Sequence, residues 1–296
     1  MMGAPSQHSN TPIFQNSCPE QSDGLCSMEK RKTIIRKASA LLAWPGAVGI
    51  RIARGPGIRI LMYHRVTDEH EDRLSVSPEE FKRQMDHLVS AGYRVMTLAQ
   101  ALAEGMERRS LPDVVITFDD GYQDFYRNVF PILRERNFPA VIFVVPDFIE
   151  GKISLPRYRD SRSVTWEMLR EMREGGIMVG AHSVTHRELT GLDSREAKLE
   201  IEGSADIIEK QSGERPEWFS YPRGKYSPII SRMVQNSGYR GAVTVRPGSN
   251  RRPYDYFALR RTEISRDDDL RDFRMKLSGA YDLQHYLWQK IMGKRL

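Results

Sequence analysis

The sequence VVITFDDG, residues 114–121, indicates the fold class of this chain. Its first five residues are β-branched or aromatic, which is typical of a strand buried on both faces of a parallel sheet. Two carboxylates, Asp119 and Asp120, follow directly, and Gly121 lets the backbone turn because glycine readily adopts positive φ. Such a pair can supply a metal ligand and a base, but Asp before Gly is also common in ordinary turns. These eight residues alone leave both interpretations open.

Predicted strands and helices alternate on both sides of this stretch. Parallel sheets are built from such alternation, because a connection must carry the chain back between neighbouring parallel strands. Seven or eight such units favour a closed (β/α) barrel, although periodicity alone does not choose between a barrel and an open sheet. We predict strands at residues 58–63, 94–98, 114–118, 140–145, 177–181, 218–221, 242–245 and 259–264. We predict helices at residues 78–91, 131–136, 166–173 and 194–211.

A pair of histidines follows the predicted strand at residues 177–181. His182 and His186 are four residues apart, and we predict that they lie side by side on one helical turn. The carboxyl ends of parallel barrel strands meet at one rim, so the histidines are expected near the Asp pair. Two imidazoles and one carboxylate leave a coordination position open for water and suit Zn²⁺, Co²⁺ or another late first-row metal.

Three motifs together resemble the polysaccharide deacetylase family, also called the NodB-homology or carbohydrate esterase 4 family. They are TFDDG at residues 117–121, HSVTH at residues 182–186 and FSYPRG at residues 219–224. They occur in the family's order, and the likeness spans roughly residues 58–265. The resemblance implies an α/β fold, a distorted (β/α) barrel of the NodB-homology type. It also implies a hydrolase that acts on carbon–nitrogen bonds other than peptide bonds.

The resemblance also assigns roles to individual residues. It implies that Asp119 is the general base and that Asp120, His182 and His186 are the metal ligands. The third motif would contact substrate and the oxyanion, with the backbone N–H of the arginine as a donor. The residues carried over from that motif are Tyr221, Pro222, Arg223 and Gly224.

The group that orients the base departs from the family pattern. Much of the family has an arginine where this chain has Ser220, and that arginine orients the catalytic aspartate. Three other arginines are candidates for the same task, and the sequence does not choose among them. They are Arg223, Arg260 and Arg261.

The general acid departs from the family pattern as well. The family's late Leu-x-His motif is absent from its usual strand, and we interpret Leu283-Gln284-His285 as a chance match in a helical tail. We predict that His64, at the end of the first strand, is the catalytic acid. An imidazole titrates near neutral pH and can protonate a leaving amine. The alternative is a structural histidine at the rim.

Charge is unevenly distributed along the chain. The 296 residues carry a net charge of +6. Residues 28–60 hold eight Lys and Arg residues against Glu29 alone, so the rest of the chain is close to neutral. This distribution, with no nucleic-acid-binding motif, predicts no nucleic-acid partner. We predict a disordered polar tail at residues 1–27, a basic amphipathic segment at 28–55, and a deacetylase-like barrel with a helical tail at 56–296.

The basic amphipathic segment has two interpretations. Residues 28–50 could bind an anionic membrane surface peripherally, or they could form a helix that packs on the barrel. We expect a cytoplasmic protein, at the inner membrane face if this segment binds lipid. A start of translation at Met28 would instead give a secretory signal and a secreted or periplasmic protein. The sequence gives no oligomeric state.

The leading hypothesis is a metal-dependent hydrolase that removes N-acetyl groups from amino sugars of a cell-surface polysaccharide or its precursor. A second hypothesis keeps the chemistry but makes the substrate a lipid-linked sugar that is deformylated or deacetylated. A third is a catalytically silent carbohydrate-binding barrel, which the missing arginine and the displaced acid would favour. An N-acetylated carbohydrate is the expected partner in the leading hypothesis.

Overall fold

A computed structural model describes residues 22–69, 72–103, 110–155 and 161–292. The chain divides into a small N-terminal unit, residues 1–38, and a main unit, residues 39–296. Most of the predicted tail, residues 1–21, lies outside the described residues. Residues 22–27 begin a helix rather than a disordered segment.

The strands in the described residues are β1 (Ile58–Tyr63), β2 (Arg65–Val66), β3 (Ser75–Val76), β4 (Asp113–Phe118), β5 (Ala140–Val144), β6 (Ile177–Ala181), β7 (Trp218–Ser220), β8 (Gly241–Val243) and β9 (Thr262–Glu263). The α-helices are α1 (Ser22–Arg54), α2 (Pro78–Ser90), α3 (Leu98–Ala103), α4 (Phe130–Glu135), α5 (Pro146–Ile149), α6 (Trp166–Glu174), α7 (Ser194–Ser212), α8 (Pro228–Asn236), α9 (Leu270–Ser278) and α10 (Ala280–Ile291). A π-helical turn, Phe125–Val129, precedes α4, and short 3₁₀ turns cover Leu189–Gly191 and Pro222–Gly224.

Seven parallel strands form one curled sheet in the order β8-β7-β6-β5-β4-β1-β9. Its two edges are joined by the irregular segment before β9. The Thr244 N–H donates to the Leu259 carbonyl at 2.8 Å, and the Arg261 N–H donates to the Arg246 carbonyl at 2.9 Å. β9 itself pairs with β1. The predicted distorted (β/α) barrel is therefore confirmed, with an irregular seam at residues 259–261.

Alternate residues of each strand contribute to two separate cores. In β4, Val114, Ile116 and Phe118 pack toward the surrounding helices, where they meet residues such as Phe81 of α2. Val115 faces the barrel interior, in a cluster that includes Ile60, Val141, Phe143, Trp218, Val243 and Leu259. Burial on both faces explains why these strands are continuous apolar runs in the sequence.

Several predicted boundaries differ from the structure. The prediction of a strand at residues 94–98 is wrong, because only Val95 forms a bridge, with Val114. Thr97 instead caps α3, with its Oγ1 accepting from the Gln100 N–H at 3.1 Å. The predicted strand at residues 259–264 is reduced to Thr262–Glu263.

The compact main unit begins at Ser39, whereas the predicted barrel domain begins at residue 56. The difference arises because Ala40 and Ala47 of α1 pack against Met275 of α9 and Ala280 of α10. Within the described residues, no helix combines the length and the apolar character needed to cross a lipid bilayer.

Candidate active site

The two carboxylates after β4 reach the same rim through different backbone geometries. Val115, Thr117 and Asp119 are spaced by two, so Asp119 continues the row that faces the barrel interior. Asp120 would then face the helices, but its φ of 76° and the φ of 77° at Gly121 turn the chain. The predicted turn is therefore present, and Asp120 itself adopts the left-handed conformation that we expected of glycine alone. Both aspartates line one cavity.

Arg261 holds Asp119 from inside the barrel. Its two terminal nitrogens donate to Oδ1 and Oδ2 of Asp119 at 2.7 and 2.6 Å. Its Nε donates to the Thr244 carbonyl at 2.8 Å, and its Nη2 donates to Ser220 Oγ at 3.1 Å. The Arg261 side chain is fully buried and the Asp119 side chain is 3% exposed. Of the three candidate arginines, it is therefore Arg261, from the barrel seam, that contacts the predicted base.

The charge of this arginine determines the protonation state of Asp119. Burial raises the pKa of Asp119, but the Arg261 guanidinium opposes that effect and, with His182, holds the pKa well below its usual range. A paired and hydrogen-bonded carboxylate of this kind stays ionised at neutral pH. Asp119 is therefore available as a proton acceptor.

The histidine pair lies on a loop, so the prediction of one helical turn is wrong. Residues 182–188 after β6 are not helical. Ser183 and His186 have φ values of 61° and 59°, and these left-handed residues fold the loop back on itself. The His182 and His186 rings consequently lie 4.7 Å apart, centroid to centroid. The shared location that we predicted is present, but a tight loop provides it.

Glu200 of α7 fastens this loop. Its Oε2 accepts from the backbone N–H groups of Val184 and Thr185, both at 2.9 Å, and its Oε1 accepts from the Thr185 hydroxyl at 2.5 Å. Glu200 is 7% exposed. A buried carboxylate with three donors is strongly satisfied, so the loop between the two histidines has a fixed geometry.

Asp120, His182 and His186 form a group that fits a metal ion. The Nε2 atoms of both histidines lie 3.5 Å from Asp120 Oδ1, and the three ligand atoms lie within 4.8 Å of one another. His182 Nδ1 lies 2.7 Å from the Ser220 carbonyl oxygen. Because a carbonyl only accepts, Nδ1 carries the proton and Nε2 presents its lone pair toward Asp120. One carboxylate and two imidazoles are donors that suit Zn²⁺ and related metals.

The protonation states of this group also suit a metal. Burial lowers the pKa of His182 to about 4 and, likewise, the pKa of His186 to about 4. Both imidazoles are therefore neutral near pH 7, the form that binds a cation. Burial raises the pKa of Asp120, although His64 and His182 oppose that effect. A bound cation would stabilise the ionised carboxylate.

A substitution at Glu200 tests how far the shape of the histidine loop depends on the hydrogen bonds to this carboxylate. The change Glu200→Gln leaves one acceptor oxygen for three donors, so we expect metal affinity to fall about 10- to 100-fold. The metal dissociation constant, measured by competition with a chelator, checks this. The matched control is Glu202→Gln on the same helix, whose partner Lys198 lies 3.7 Å away on the surface. Equal metal affinity in the wild type and in Glu200→Gln would show that the loop keeps its shape without the Glu200 carboxylate.

The aspartates and histidines open into a cavity of about 640 Å³. His64, which follows β1, also lines it, and its Nδ1 is buried with no hydrogen-bond partner among the described residues. The structure thus brings His64 together with the other predicted site residues. The complete lining is His64, Leu74, Asp119, Asp120, Tyr122, Leu155, His182, His186, Arg223 and Val245.

The third motif divides between the cavity and the core. Arg223 lines the cavity and has a φ of 58°, and Gly224 has a φ of 68°. A Cβ on Gly224 would lie 2.7 Å from the backbone nitrogen of Val245, so only glycine permits this approach. Tyr221 and Pro222 are buried outside the lining, and the Tyr221 hydroxyl donates to the Phe257 carbonyl at 3.0 Å. The two thus support the loop, while Arg223 faces the site.

The remaining candidates lie outside the site. Leu283-Gln284-His285 falls on α10, with His285 exposed, as expected for a chance match. Arg260 is exposed beside Arg261, and its Nη1 donates to the Pro247 carbonyl at 3.0 Å. The sequence prediction missed Leu74, Tyr122, Leu155 and Val245 in the lining and Glu200 behind the loop. Only Tyr122, directly after the Asp-Asp-Gly motif, carried a local signal.

Comparison with known proteins connects this geometry to a family. The profile of the polysaccharide deacetylase family matches residues 107–242, which contain all three motifs. The Bacillus subtilis protein YxkH, which has the provisional name of a polysaccharide deacetylase, is 29% identical over 239 residues, 80% of each chain. Residues 107–242 belong to the polysaccharide deacetylase family. The predicted family and enzyme class are thus confirmed: this deacetylase is a carbohydrate esterase that acts on N-acetyl amide bonds.

Other similarities of this deacetylase cover less sequence or show the fold alone. A poly-β-1,6-N-acetyl-D-glucosamine N-deacetylase of Escherichia coli is 31% identical over 132 residues, 41% of this chain but 20% of that enzyme. The structure of IcaB from Ammonifex degensii superimposes with a TM-score of 0.64 at 25% identity, over 77% of this chain and 98% of IcaB. The Streptococcus pyogenes deacetylase PplD gives 0.67 at 23% identity, over 75% and 98%, which confirms the fold.

Proposed function

We propose that this deacetylase is metal-dependent and removes N-acetyl groups from the amino sugars of a cell-surface polysaccharide or its precursor. The observation that carries the proposal is the convergence of two groups in one cavity. Asp119, ionised by Arg261, lies beside the Asp120, His182 and His186 group. A base next to a site that fits a Lewis-acidic cation is an arrangement that suits the hydrolysis of an unreactive amide.

The residues of the chain take separate parts in the proposed reaction. Water attacks the acetyl carbonyl carbon as Asp119 accepts a proton from it. The C–N bond then breaks, and His64 donates a proton to the departing amine nitrogen, so that acetate and a free amino sugar result. Arg223, from the cavity wall, presents its backbone N–H to the developing oxyanion. Asp120, His182 and His186 would hold a divalent metal, with Zn²⁺ our first choice, and that metal would supply positive charge to polarise the carbonyl.

We infer the substrate sugar from the names of similar enzymes. The E. coli relative and a Staphylococcus epidermidis relative, 24% identical over 205 residues, are both poly-β-1,6-N-acetyl-D-glucosamine N-deacetylases. We therefore propose an N-acetylglucosamine polymer as the first substrate to test. A lipid-linked sugar is the second candidate, favoured by the basic segment at residues 28–55. A silent barrel is the least favoured, because the base, its arginine and the complete ligand group are all present.

Metal removal and restoration test the proposal directly. We expect the purified chain, stripped with a chelator, to lose acetate release from N-acetylglucosamine oligomers, and Zn²⁺ or Co²⁺ to restore it. The panel includes chitin-type oligomers, β-1,6-linked oligomers and lipid-linked N-acetyl and N-formyl sugars. Stoichiometric metal should not restore acetate release in His182→Ala. His285 is an exposed histidine on α10, so His285→Ala should release acetate as the wild type does. Oligomer binding without acetate release at any metal loading would instead establish the silent barrel.

A further inference from the structure

Two leucines of α1 face away from the barrel, whereas Trp44 packs against the buried alanines of the same helix. In its main-unit part, residues 39–54, the small residues Ala40, Ala43 and Ala47 are buried at 0%, 9% and 4% exposure. Leu41 and Leu42, between them in sequence, are 44% and 84% exposed. A helix that served only to pack on the barrel would present its large apolar residues inward. The packing interpretation of this segment therefore applies to the alanines, while the exposed leucines leave the membrane-binding interpretation as a prediction.

α10 shows the same excess of apolar surface. Ala280 and Gln284 are buried, and the Gln284 amide nitrogen donates to Ser39 Oγ of α1 at 2.5 Å. The same face continues with Leu287 and Ile291, at helical spacings of three and four, but these are 44% and 79% exposed. The adjacent Trp288 is 48% exposed. The apolar stripe of α10 thus extends beyond the groups that cover its first turns.

Exposed apolar residues are concentrated on these two helices. In the described part of the main unit, thirteen large apolar side chains are exposed, and eight belong to α1, α10 or the residue after α10. The eight are Leu41, Leu42, Ile50, Tyr286, Leu287, Trp288, Ile291 and Met292, which we call the terminal-helix face. Such concentration marks an interaction surface, because exposed apolar residues of a monomer are normally scattered.

The charge that accompanies this face identifies its partner. Residues 28–55 contain seven Lys and Arg residues against Glu29, and residues 280–296 contain three against Asp282. Asp282 itself is paired with Arg59 at 2.6 Å. The intervening residues 61–279 carry a net charge of −1, so nearly all the basicity of the chain lies in the two terminal segments. We propose that the terminal-helix face binds peripherally to an anionic lipid bilayer surface.

The chemistry of the face favours a bilayer over a second copy of the chain. Exposed leucine and isoleucine side chains enter the acyl boundary, and Tyr286 and Trp288 are the residue types that prefer the headgroup region. Lys and Arg residues of the two terminal segments are attracted to anionic headgroups. Two copies of the chain would bring their basic terminal segments together, and this like charge disfavours self-association. The exposed apolar residues and the basic segments therefore both favour an anionic bilayer as the partner.

Co-sedimentation of the full chain with vesicles tests the proposal. We expect at least about tenfold stronger partitioning onto phosphatidylcholine vesicles containing phosphatidylglycerol than onto phosphatidylcholine alone, with weakening as salt is raised. The variant Leu42→Asp/Ile291→Asp should bind at least about tenfold more weakly. The control is Ile229→Asp on α8, also an exposed isoleucine at 62%, which should bind as wild type. Circular dichroism and acetate release from a soluble oligomer should be unchanged in all variants.

Three outcomes would overturn the proposal. The first is no preference for anionic vesicles, and the second is an equal loss of binding in the Ile229→Asp control. The third is a concentration-dependent dimer that Leu42→Asp/Ile291→Asp abolishes, without vesicle binding by the wild type, which would make the face a self-association surface. Because binding is read without catalysis, each result is independent of whether the deacetylase activity is found.

Discussion

Replacing Asp119 with asparagine is expected to lower the rate of acetate release by about three orders of magnitude while metal binding is retained. Asparagine has nearly the same shape and keeps an oxygen for Arg261, but it cannot accept a proton from water. Loss of a positioned general base typically costs 10²- to 10⁴-fold in rate. The metal ligands, Asp120, His182 and His186, are untouched by the change. The measurements are kcat for acetate release and the metal content of the purified variant.

A control on the same strand makes this result specific. Asp113 begins β4, at the opposite end from the site, and pairs with Arg94 at 2.8 Å. Asp113→Asn therefore removes a carboxylate from the same strand without approaching the cavity, and we expect kcat within about twofold of wild type. Full activity in Asp119→Asn would show that another group accepts the proton. Loss of metal from that variant would show that Asp119 belongs to the ligand group.

Replacing Arg261 with methionine is expected to lower both stability and rate. It leaves the buried Asp119 carboxylate without its cation, and breaking a buried pair from one side costs about 3–5 kcal/mol in free energy of unfolding. The rate should fall about 100-fold or more, because the base loses both its orientation and the charge that keeps it ionised. Arg261→Lys keeps a charge but cannot form both hydrogen bonds, so kcat should still fall at least about tenfold. Urea unfolding and steady-state kinetics measure the two effects.

A double variant separates the pair from general damage. In Asp119→Asn/Arg261→Met neither partner remains as an uncompensated charge, so the stability losses should be less than additive. The neighbouring Arg260, whose Nη1 donates to a backbone carbonyl on the surface, provides the control Arg260→Lys. We expect that control to match wild type in both measurements. Additive losses in the double variant would indicate that Arg261 and Asp119 act independently.

The sequence predicted the chemistry of the site better than its geometry. The periodicity of two along β4 and the turn after it were enough to place Asp119 and Asp120 at one rim. The histidine spacing of four predicted proximity, but a helical turn and a folded loop give the same spacing. The left-handed residues Ser183 and His186 distinguish the two, and neither is a glycine that would have signalled the turn.

Long-range partners could not be predicted in the same way. The sequence named three arginines as candidates to orient the predicted base, and only the position of the barrel seam shows that Arg261 is the one in contact with Asp119. Glu200 looked like any acidic residue of a surface helix, and its burial depends on how α7 lies over the loop. For α1 the residue pattern predicted an amphipathic segment, but it did not predict which face packs on α9 and α10.

The barrel seam at residues 259–261 places the base's partner where the ring of strands is least regular. Side chains alternate along an extended chain, so one residue added or removed between Leu259 and Thr262 would turn the guanidinium outward and leave Asp119 alone. An engineer seeking to reshape the rim for new sugars would therefore keep the three seam residues at their present number.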